Sequence, residues 1–315
     1  IKELYSQLMS MSRKLQYQRL VESGALGRLP FIQIDSLDKE NARVVFQGTE
    51  GAYGQAAMHQ FFGDDVNCFH VRTFRDAMEA IEEGSADYAV LPIENSSAGP
   101  VNEMYDLLDE FENYIVAETI LPVVHTLSGL PGTKLSEIKR VYSKAEALMQ
   151  TTRFLDDHSD WQRISVVNTA IAAKKVLEDQ DKAQAAVCST YAAKLHGLEV
   201  LVDEINDEED NSTRFIVVTN QKIFLKDASK ISIEFELPHE SGSLYNILSH
   251  FIYNDLNMTK IESRPVEGKQ WEYRFFVDIE GNLNDAAVQN ALRGLTEETI
   301  RLKILGNYVS AEGNE

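Results

Sequence analysis

The sequence is poor in cysteine, in basic residues and in long apolar runs. Its two cysteines, Cys68 and Cys188, are far apart in a chain of 315 residues, and each lies in or beside an apolar stretch. That placement is typical of reduced thiols in the cytoplasm rather than of a disulfide framework. No run reaches the roughly 18 apolar residues of a membrane helix, and the N-terminus lacks the pattern of a secretory signal. We therefore expect a cytoplasmic protein and assign the cysteines no role.

Basic residues are scarce relative to acidic ones. The chain has 30 Lys and Arg against 50 Asp and Glu, which gives a formal net charge of −20. Such a balance argues against nucleic acid and anionic membranes as partners, because both are bound by clustered basic side chains. An anionic ligand would need a local positive site. The sequence also lacks a dinucleotide fingerprint, a Walker loop and a metal-ligand cluster.

The remaining composition is that of an ordinary globular protein of roughly two or three domains. Residues 3–20 carry Leu4, Leu8, Met11 and Leu15 at the spacing of an amphipathic helix, and "SGALGRLP" reads as a linker. We predict a helical segment over 1–22 and a linker over 23–42. The chain begins with Ile1 rather than Met, which we interpret as a sign of a longer parent protein.

Short apolar strands alternate with helical segments from Arg43 onward, for example "RVVFQG" before "AYGQAAMHQFF". This alternation predicts an α/β fold with parallel sheet. In three later units, small polar residues stand where a strand ends and a helix begins: Ser143, Asn168 with Thr169, and Ser189 with Thr190. They are N-caps in one interpretation, and anion-binding groups at the carboxyl edge of a sheet in the other. Both can hold at once.

A second pattern follows Lys222. Strands "ISIEFEL", "KIESRPVE", "WEYRFFVDIE" and "IRLKILGNYV" enclose two helical segments in the order βαββαβ, with a hairpin predicted around Gly268. This order predicts a separate ferredoxin-like domain over 229–310.

Five motifs together resemble one family. They are "VFQGTEGAYGQAA" at 45–57, "LPIENSSAGPV" at 91–101, "NSTRF" at 211–215, "SGSLYNIL" at 241–248 and "NMTKIESRP" at 257–265. In this order they resemble prephenate dehydratases that carry a C-terminal ACT regulatory domain. "LMSMSRKLQ" further resembles the end of the last helix of the chorismate mutase domain fused ahead of many dehydratases, with Ser12 and Gln16 matching polar site residues. The long helices of a mutase site are missing, so we expect no mutase activity.

The resemblance implies a two-lobed catalytic domain, similar to periplasmic binding proteins, over 43–220. Lobe 1 would comprise about 43–121 and 201–220, and lobe 2 about 122–200. The implied reaction converts prephenate to phenylpyruvate, carbon dioxide and water in phenylalanine biosynthesis. It needs no cofactor and no metal, because no redox step or electron sink is involved. The resemblance also implies feedback inhibition by L-phenylalanine and a homodimer or homotetramer.

The resemblance also implies site residues. Thr213 would hydrogen-bond the departing hydroxyl, and Arg214 would grip a substrate carboxylate. Asn95 and Ser96 would donate to substrate oxygens while Glu94 fixes their loop. Ser143, Thr169 and Phe215 would complete the substrate site. The structural alternatives are a surface Arg214 paired with "DEED", and a loop with an N-cap at 94–96.

Two motifs depart from the family pattern. Lys144 stands where the family often has a histidine, and Ala52-Tyr53-Gly54 stands where many members have Thr-Phe-Ser. The general acid is therefore left unassigned.

In the ACT-like domain, the resemblance places the phenylalanine site at Gly242, Ser243, Leu244, Glu262, Ser263 and Arg264. A plain structural turn at Gly242 is the alternative. A non-catalytic amino-acid sensor is the other function we considered, and the intact Thr213-Arg214 pair argues against it.

Overall fold

The computed structural model describes residues 29–311 except 209, 267 and 270, together with residues 5, 8 and 12. Residues 5, 8 and 12 are helical, whereas the rest of the predicted first helix, including Gln16, and most of the predicted linker lie outside the described residues. The chain divides into two units. The central unit comprises Lys39–Leu107 and Thr119–Val217; the C-terminal unit comprises Ile1–Asp38, Leu108–Glu118 and Val218–Glu315. The predicted domain and lobe boundaries stay predictions.

Strands and helices alternate along most of the described chain. The strands are β1 (Ile32–Ile34), β2 (Arg43–Gln47), β3 (Asn67–Val71), β4 (Tyr88–Asn95), β5 (Gly99–Pro100), β6 (Tyr114–Pro122), β7 (Thr126–Gly129), β8 (Arg140–Ser143), β9 (Gln162–Ser165), β10 (Gln184–Cys188), β11 (Glu199–Val202), β12 (Ser212–Thr219), β13 (Ile223–Leu225), β14 (Lys230–Glu236), β15 (Met258–Pro265), β16 (Tyr273–Glu280) and β17 (Arg301–Tyr308). The helices are α1 (Tyr53–Phe62), α2 (Phe74–Glu82), α3 (Asn102–Glu110), α4 (Ala145–Met149), α5 (Thr152–Asp156), α6 (Thr169–Asp179), α7 (Thr190–Leu195), α8 (Ser243–Tyr253) and α9 (Ala286–Glu298). Among the residues that the structure describes, no helix has both the length and the apolarity that crossing a membrane requires.

The central unit contains two sheets. In one, the strand order is β12-β4-β2-β3, and β2 runs parallel to both of its neighbours. In the other, the order is β11-β7-β10-β8-β9, with β10, β8 and β9 parallel and β7 antiparallel to β10 and β11. Strands such as β10 are buried along their whole length, as expected for parallel strands covered on both faces. The predicted α/β class is confirmed.

One predicted helical segment is divided in two. Within "KAEALMQTTRFL", the helical segment that follows Ser143, α4 ends at Met149 and α5 begins at Thr152. Thr151 interrupts the helix at φ −128° and ψ 25°, and its buried hydroxyl donates to the carbonyl oxygen of Ala147 at 2.8 Å. A β-branched residue with a short polar side chain competes with the helical backbone in this way.

The C-terminal unit confirms the predicted βαββαβ order, as β14-α8-β15-β16-α9-β17. The sheet order is β15-β16-β14-β17, and these neighbours are antiparallel. Ile233 and Phe235 of β14 pack in one apolar core with Phe251 of α8 and Leu295 of α9. β17 also pairs in parallel with β6, through Gly306 and Ile115. A Cβ at Gly306 would lie 2.1 Å from the Ile115 carbonyl oxygen, so only glycine fits there.

The polar face of β14 is buried as well as its apolar face. The polar residues that alternate with apolar ones along β14 are each at most 8% exposed: Lys230, Ser232, Glu234 and Glu236. Partners come from segment 108–118 of the same unit, as for Lys230, and from the neighbouring strands, as for Ser232, which hydrogen-bonds Asp278 and Tyr308. Lys230 Nζ lies 2.8 Å from Glu118 Oε1. On β17, Lys303 Nζ donates to the carbonyl oxygens of Leu108 at 2.9 Å and Phe111 at 2.7 Å.

An ionic cluster occupies this buried face. Arg274 bridges Glu236, at 2.6 Å, and Asp109. Arg301 pairs with Asp109, and its Nη1 lies 3.5 Å from Glu234 Oε1. Burial, reinforced by the neighbouring Asp109 carboxylate, raises the pKa of Glu234 to about 8. Glu234 is therefore protonated at neutral pH. The pKa values of Asp109 and Glu236 are lowered, against the opposing effect of burial, by the hydrogen bonds and charges around them.

We expect Glu234→Gln to abolish one component of the pH dependence of stability. The pKa of this carboxyl is raised on folding, so its contribution is fully present below the unfolded pKa of about 4.3. It is lost as the pH rises towards about 8. The difference in free energy of unfolding, Gln variant minus wild type, should therefore increase by up to about 1.4 kcal/mol per pH unit between pH 5 and 8.

Urea unfolding at pH 5, 6, 7, 8 and 9 measures this difference. Glu280→Gln, at an exposed carboxylate that ends β16, is the matched control and should leave the pH profile unchanged. Asp109 and Glu236, whose pKa values are lowered in the folded protein, are ionised in both the folded and the unfolded chain over most of this range and add little slope. Parallel curves for wild type and Glu234→Gln would show that Glu234 is ionised in the folded protein.

Candidate active site

A cleft of about 470 Å³ lies in the central unit. It is lined by residues on β2, β4 and β12 and by residues that flank strands of the other sheet, such as His125 before β7 and Lys144 after β8. Of the predicted substrate-site residues, Asn95, Thr169, Thr213 and Phe215 line it. Glu94, Ser96, Ser143 and Arg214 are described but are not among the lining residues. The cleft therefore brings together half of the predicted set of eight.

The Asn95 side chain is held in one orientation by its neighbours. Its Oδ1 accepts from the backbone amides of Ser97 at 3.1 Å and Ala98 at 2.8 Å. Its Nδ2 then faces Asn211 Oδ1 at 2.8 Å and Thr213 Oγ1 at 2.9 Å. Because backbone N–H groups only donate, they identify which end of this amide is the oxygen. Asn95 thus acts as a donor towards Thr213.

The Thr213 hydroxyl is prepared to donate. Its oxygen accepts the hydrogen bond from Asn95 Nδ2 and it lines the cleft. A hydroxyl has one proton to donate and two acceptor positions. Since the amide takes an acceptor position, the proton of Thr213 is available to a ligand oxygen in the cleft.

Arg214 lies on the other face of β12. Thr213 and Phe215 line the cleft and Arg214 does not, as the alternation of side chains along a strand requires. The side chain of Arg214 is only 10% exposed, and its Nη2 lies 2.9 Å from Glu94 Oε2. This pairing joins β12 to β4. The predicted grip on a substrate carboxylate stays a prediction.

Ser96 and Ser143 make hydrogen bonds within the protein. Ser96 Oγ donates to the carbonyl oxygen of Asp210 at 3.1 Å and accepts from the amide of Ser212 at 2.9 Å, which ties the two motif segments together. Ser143 is fully buried, and its Oγ donates to the carbonyl oxygen of Val187 at 2.6 Å. Their predicted substrate contacts stay predictions.

The start of α6 reaches the cleft. Asn168 is the N-cap, with its Oδ1 accepting from the amide of Ile171 at 2.7 Å, and Thr169 follows it. Ser189 caps α7 in the same way, through the amide of Ala192 at 3.1 Å. At α4, the N-cap position belongs to Lys144 rather than to Ser143. The N-cap interpretation therefore holds for Asn168 and Ser189.

Three lining residues form a hydrogen-bonded row that no prediction identified. Tyr53 Oη lies 3.2 Å from His125 Nδ1, and His125 Nε2 lies 3.0 Å from Gln150 Oε1. Burial lowers the pKa of His125, although the hydrogen bond to Gln150 opposes that shift. The imidazole is therefore neutral near pH 7. Burial also raises the pKa of Tyr53, so its hydroxyl keeps its proton.

Only Tyr53 of this row had a signal in the sequence, since it lies in the first motif. His125 and Gln150 stand outside the five quoted motifs, and the fold alone places them at the cleft.

Comparison with known proteins assigns the family. Residues 44–223 match the family model described as prephenate dehydratase. The chain belongs to the prephenate dehydratase family. The bifunctional chorismate mutase/prephenate dehydratase of Escherichia coli (strain K12) is 33% identical over 301 residues, which cover 93% of this chain and 78% of that protein.

Two solved structures extend the similarity. The prephenate dehydratase of Arthrobacter aurescens, in complex with L-Phe, is 32% identical with a TM-score of 0.79, over 86% of this chain and 90% of the other. GqqA, described as a novel type of quorum-quenching acylase, is 30% identical with a TM-score of 0.79, over 87% of this chain and 100% of the other.

The six predicted effector residues lie in the C-terminal unit of this dehydratase-family chain. Gly242, at φ 89°, is the N-cap of α8, Ser243 begins the helix, and Leu244 packs against the core. Glu262, Ser263 and Arg264 lie on β15, where Glu262 and Arg264 share the less exposed face. The positive φ supports the interpretation of Gly242 as a turn residue. The predicted ligand contacts stay predictions.

Proposed function

We propose that this chain is a prephenate dehydratase, which converts prephenate to phenylpyruvate, carbon dioxide and water in phenylalanine biosynthesis. The observation that carries the proposal is the Thr213 hydroxyl, which lines the cleft with its oxygen hydrogen-bonded to Asn95 Nδ2. That arrangement leaves the hydroxyl proton available to a ligand oxygen, and the reaction requires a donor at the departing hydroxyl.

The proposed reaction proceeds without a bound cofactor. Prephenate, a dianion, takes up one proton and loses its ring hydroxyl as water and its ring carboxylate as carbon dioxide. The electrons of the breaking carbon–carbon bond complete the aromatic ring of the phenylpyruvate anion. Thr213 stabilises the leaving oxygen as a hydrogen-bond donor, because an aliphatic hydroxyl is too weak an acid to be the proton source. A water or carboxyl chain supplies the proton.

The direct test is incubation of the chain with prephenate while phenylpyruvate formation is followed. We expect turnover by the wild-type chain. A chain that binds phenylalanine but forms no phenylpyruvate would instead be the non-catalytic amino-acid sensor.

Amide hydrolysis, suggested by the description of GqqA, is less well supported by this cleft. Hydrolysis through a hydroxyl nucleophile needs a neighbouring general base to take its proton. The group described at Thr213 Oγ1 is the amide of Asn95, which donates to it and cannot act as a base. Incubation of the chain with an N-acyl amino acid, while release of the free amine is followed, discriminates the two activities, and we expect the amide to remain intact.

Phenylalanine inhibits this enzyme in our proposal, through the C-terminal unit. The βαββαβ order of that unit and the similarity to an L-Phe complex support the regulation. The site we propose is the start of α8 with the 262–264 stretch of β15. We expect the rate of prephenate turnover to fall when phenylalanine is added. A rate unaffected by saturating phenylalanine would contradict this regulation.

The proposed assembly is a homodimer or homotetramer, and the proposed location is the cytoplasm. Two free cysteines, one of them fully buried, fit a reducing compartment. Sedimentation of the purified chain with and without phenylalanine measures the assembly.

A further inference from the structure

The proposed substrate carries two carboxylates, so its cleft needs a positive charge. Arg214 was predicted to supply it, but its guanidinium is paired with Glu94 and lies outside the described lining. His125 is neutral near pH 7. Among the described residues that line the cleft, the permanent cation is Lys144. The charge requirement therefore points to this side chain.

Lys144 is placed to exchange partners. It follows β8 at the N-cap position of α4, and its ammonium pairs with the carboxylate of Glu146, which also lines the cleft. The two side chains are 47% and 56% exposed. Ion pairs this exposed contribute little to stability, because solvent screens them. A substrate carboxylate can therefore replace Glu146 at low cost, and Glu146 can return to solvent.

The chemistry distinguishes the two substrate carboxylates. The ring carboxylate gives up its negative charge to the ring as it leaves as neutral carbon dioxide. A cation bound to it would stabilise the ground state more than the transition state and would slow the reaction. The pyruvyl carboxylate keeps its charge throughout. An anchoring cation therefore belongs on the pyruvyl carboxylate, where it binds both states alike.

We propose, on the basis of the dehydratase function above, that the ammonium of Lys144 binds the pyruvyl carboxylate of prephenate. Lys144 is then a substrate-binding residue that fixes the end of the molecule away from the bonds that break. Because the product phenylpyruvate keeps this carboxylate, Lys144 binds the product as well as the substrate.

The test is Lys144→Gln, measured by steady-state kinetics with prephenate and by product inhibition with phenylpyruvate. Loss of one charge-assisted hydrogen bond predicts a KM raised by about tenfold to a hundredfold, with kcat changed much less. The inhibition constant of phenylpyruvate should rise by a similar factor. Lys144→Arg, which keeps the charge, should restore most of the affinity for both.

Lys174→Gln is the matched control. Lys174 is an exposed lysine of α6 that pairs with Glu178 at 3.8 Å and does not line the cleft, so its removal should leave KM unchanged. An unchanged KM in Lys144→Gln overturns the assignment. A raised KM with unchanged product inhibition also overturns it, since Lys144 would then hold the departing carboxylate. Absence of turnover by the wild-type chain overturns the dehydratase function itself, and the Lys144 role with it.

Discussion

Thr213→Val is expected to lower kcat for prephenate turnover by about a hundredfold to a thousandfold, the usual cost of removing one donor aimed at a developing charge. Valine keeps the branched shape that suits β12 but cannot donate to the departing oxygen. Asn95 Nδ2 would still have Asn211 Oδ1 at 2.8 Å and the Ser212 carbonyl oxygen at 3.1 Å as acceptors. The loop and the fold should therefore persist.

Thr213→Ser is the matched control for this change. Serine keeps the hydroxyl, so kcat should stay within a few fold of the wild type, while thermal unfolding verifies that both variants fold. A kcat for Thr213→Val equal to that of Thr213→Ser would show that the hydroxyl does not act on the leaving oxygen. In that case the catalytic role would have to pass to another group that lines the cleft.

Lys230→Met is expected to have the largest effect on stability, about 3–5 kcal/mol of the free energy of unfolding. Lys230 and Glu118 are 3% and 0% exposed, and their charged atoms lie 2.8 Å apart. Removing the ammonium leaves a carboxylate in a site without solvent. The Glu118 carboxylate would still accept hydrogen bonds from the hydroxyl of Ser310 at 3.3 Å and the amide of Ala311 at 2.9 Å, neither of which carries a charge.

Chemical denaturation of Lys230→Met, Glu118→Gln and the double variant measures the pairing. The double variant should be more stable than Lys230→Met, because it removes the uncompensated charge. Lys222→Met is the matched control from the same unit, since Lys222 and Glu112 form a pair at 3.7 Å with side chains 41% and 68% exposed. That change should cost less than about 1 kcal/mol. Equal losses for Lys222→Met and Lys230→Met would contradict the assigned role of burial.

Sequence patterns predicted the fold well where local periodicity decides it. Alternating "ISIEFEL" correctly placed β14 in a βαββαβ unit, because a period of two is a property of the strand itself. The same pattern does not report what covers the polar face of the strand. Glu118, the buried ionic partner of Lys230, lies in segment 108–118, more than 100 positions away in sequence from β14. No local pattern can report such a partner.

The candidate site was predictable in part, for a related reason. Asn95 and Thr213 stand in recognisable motifs, and their contact at 2.9 Å agrees with a shared role. The motif that contains Arg214 does not report which face of the strand meets the cleft. His125 and Gln150 lie outside the motifs, and only the folded chain shows that they line the cleft. Lys144 departs from the family pattern, but the pattern does not show that Arg214 pairs with Glu94 and leaves Lys144 as the cation of the described cleft lining.

The hydrogen bonds of Lys303 to carbonyl oxygens at the end of α3 have a consequence for folding during translation. The Leu108 carbonyl and its ammonium partner are 195 positions apart. A ribosome adding about 5–20 residues per second needs about 10–40 s to bridge that interval. Throughout this time the nascent segment 108–118 lacks the partners that bury it. A chaperone that shields this stretch during translation would therefore find it exposed, and a stop codon before position 303 would leave it so permanently.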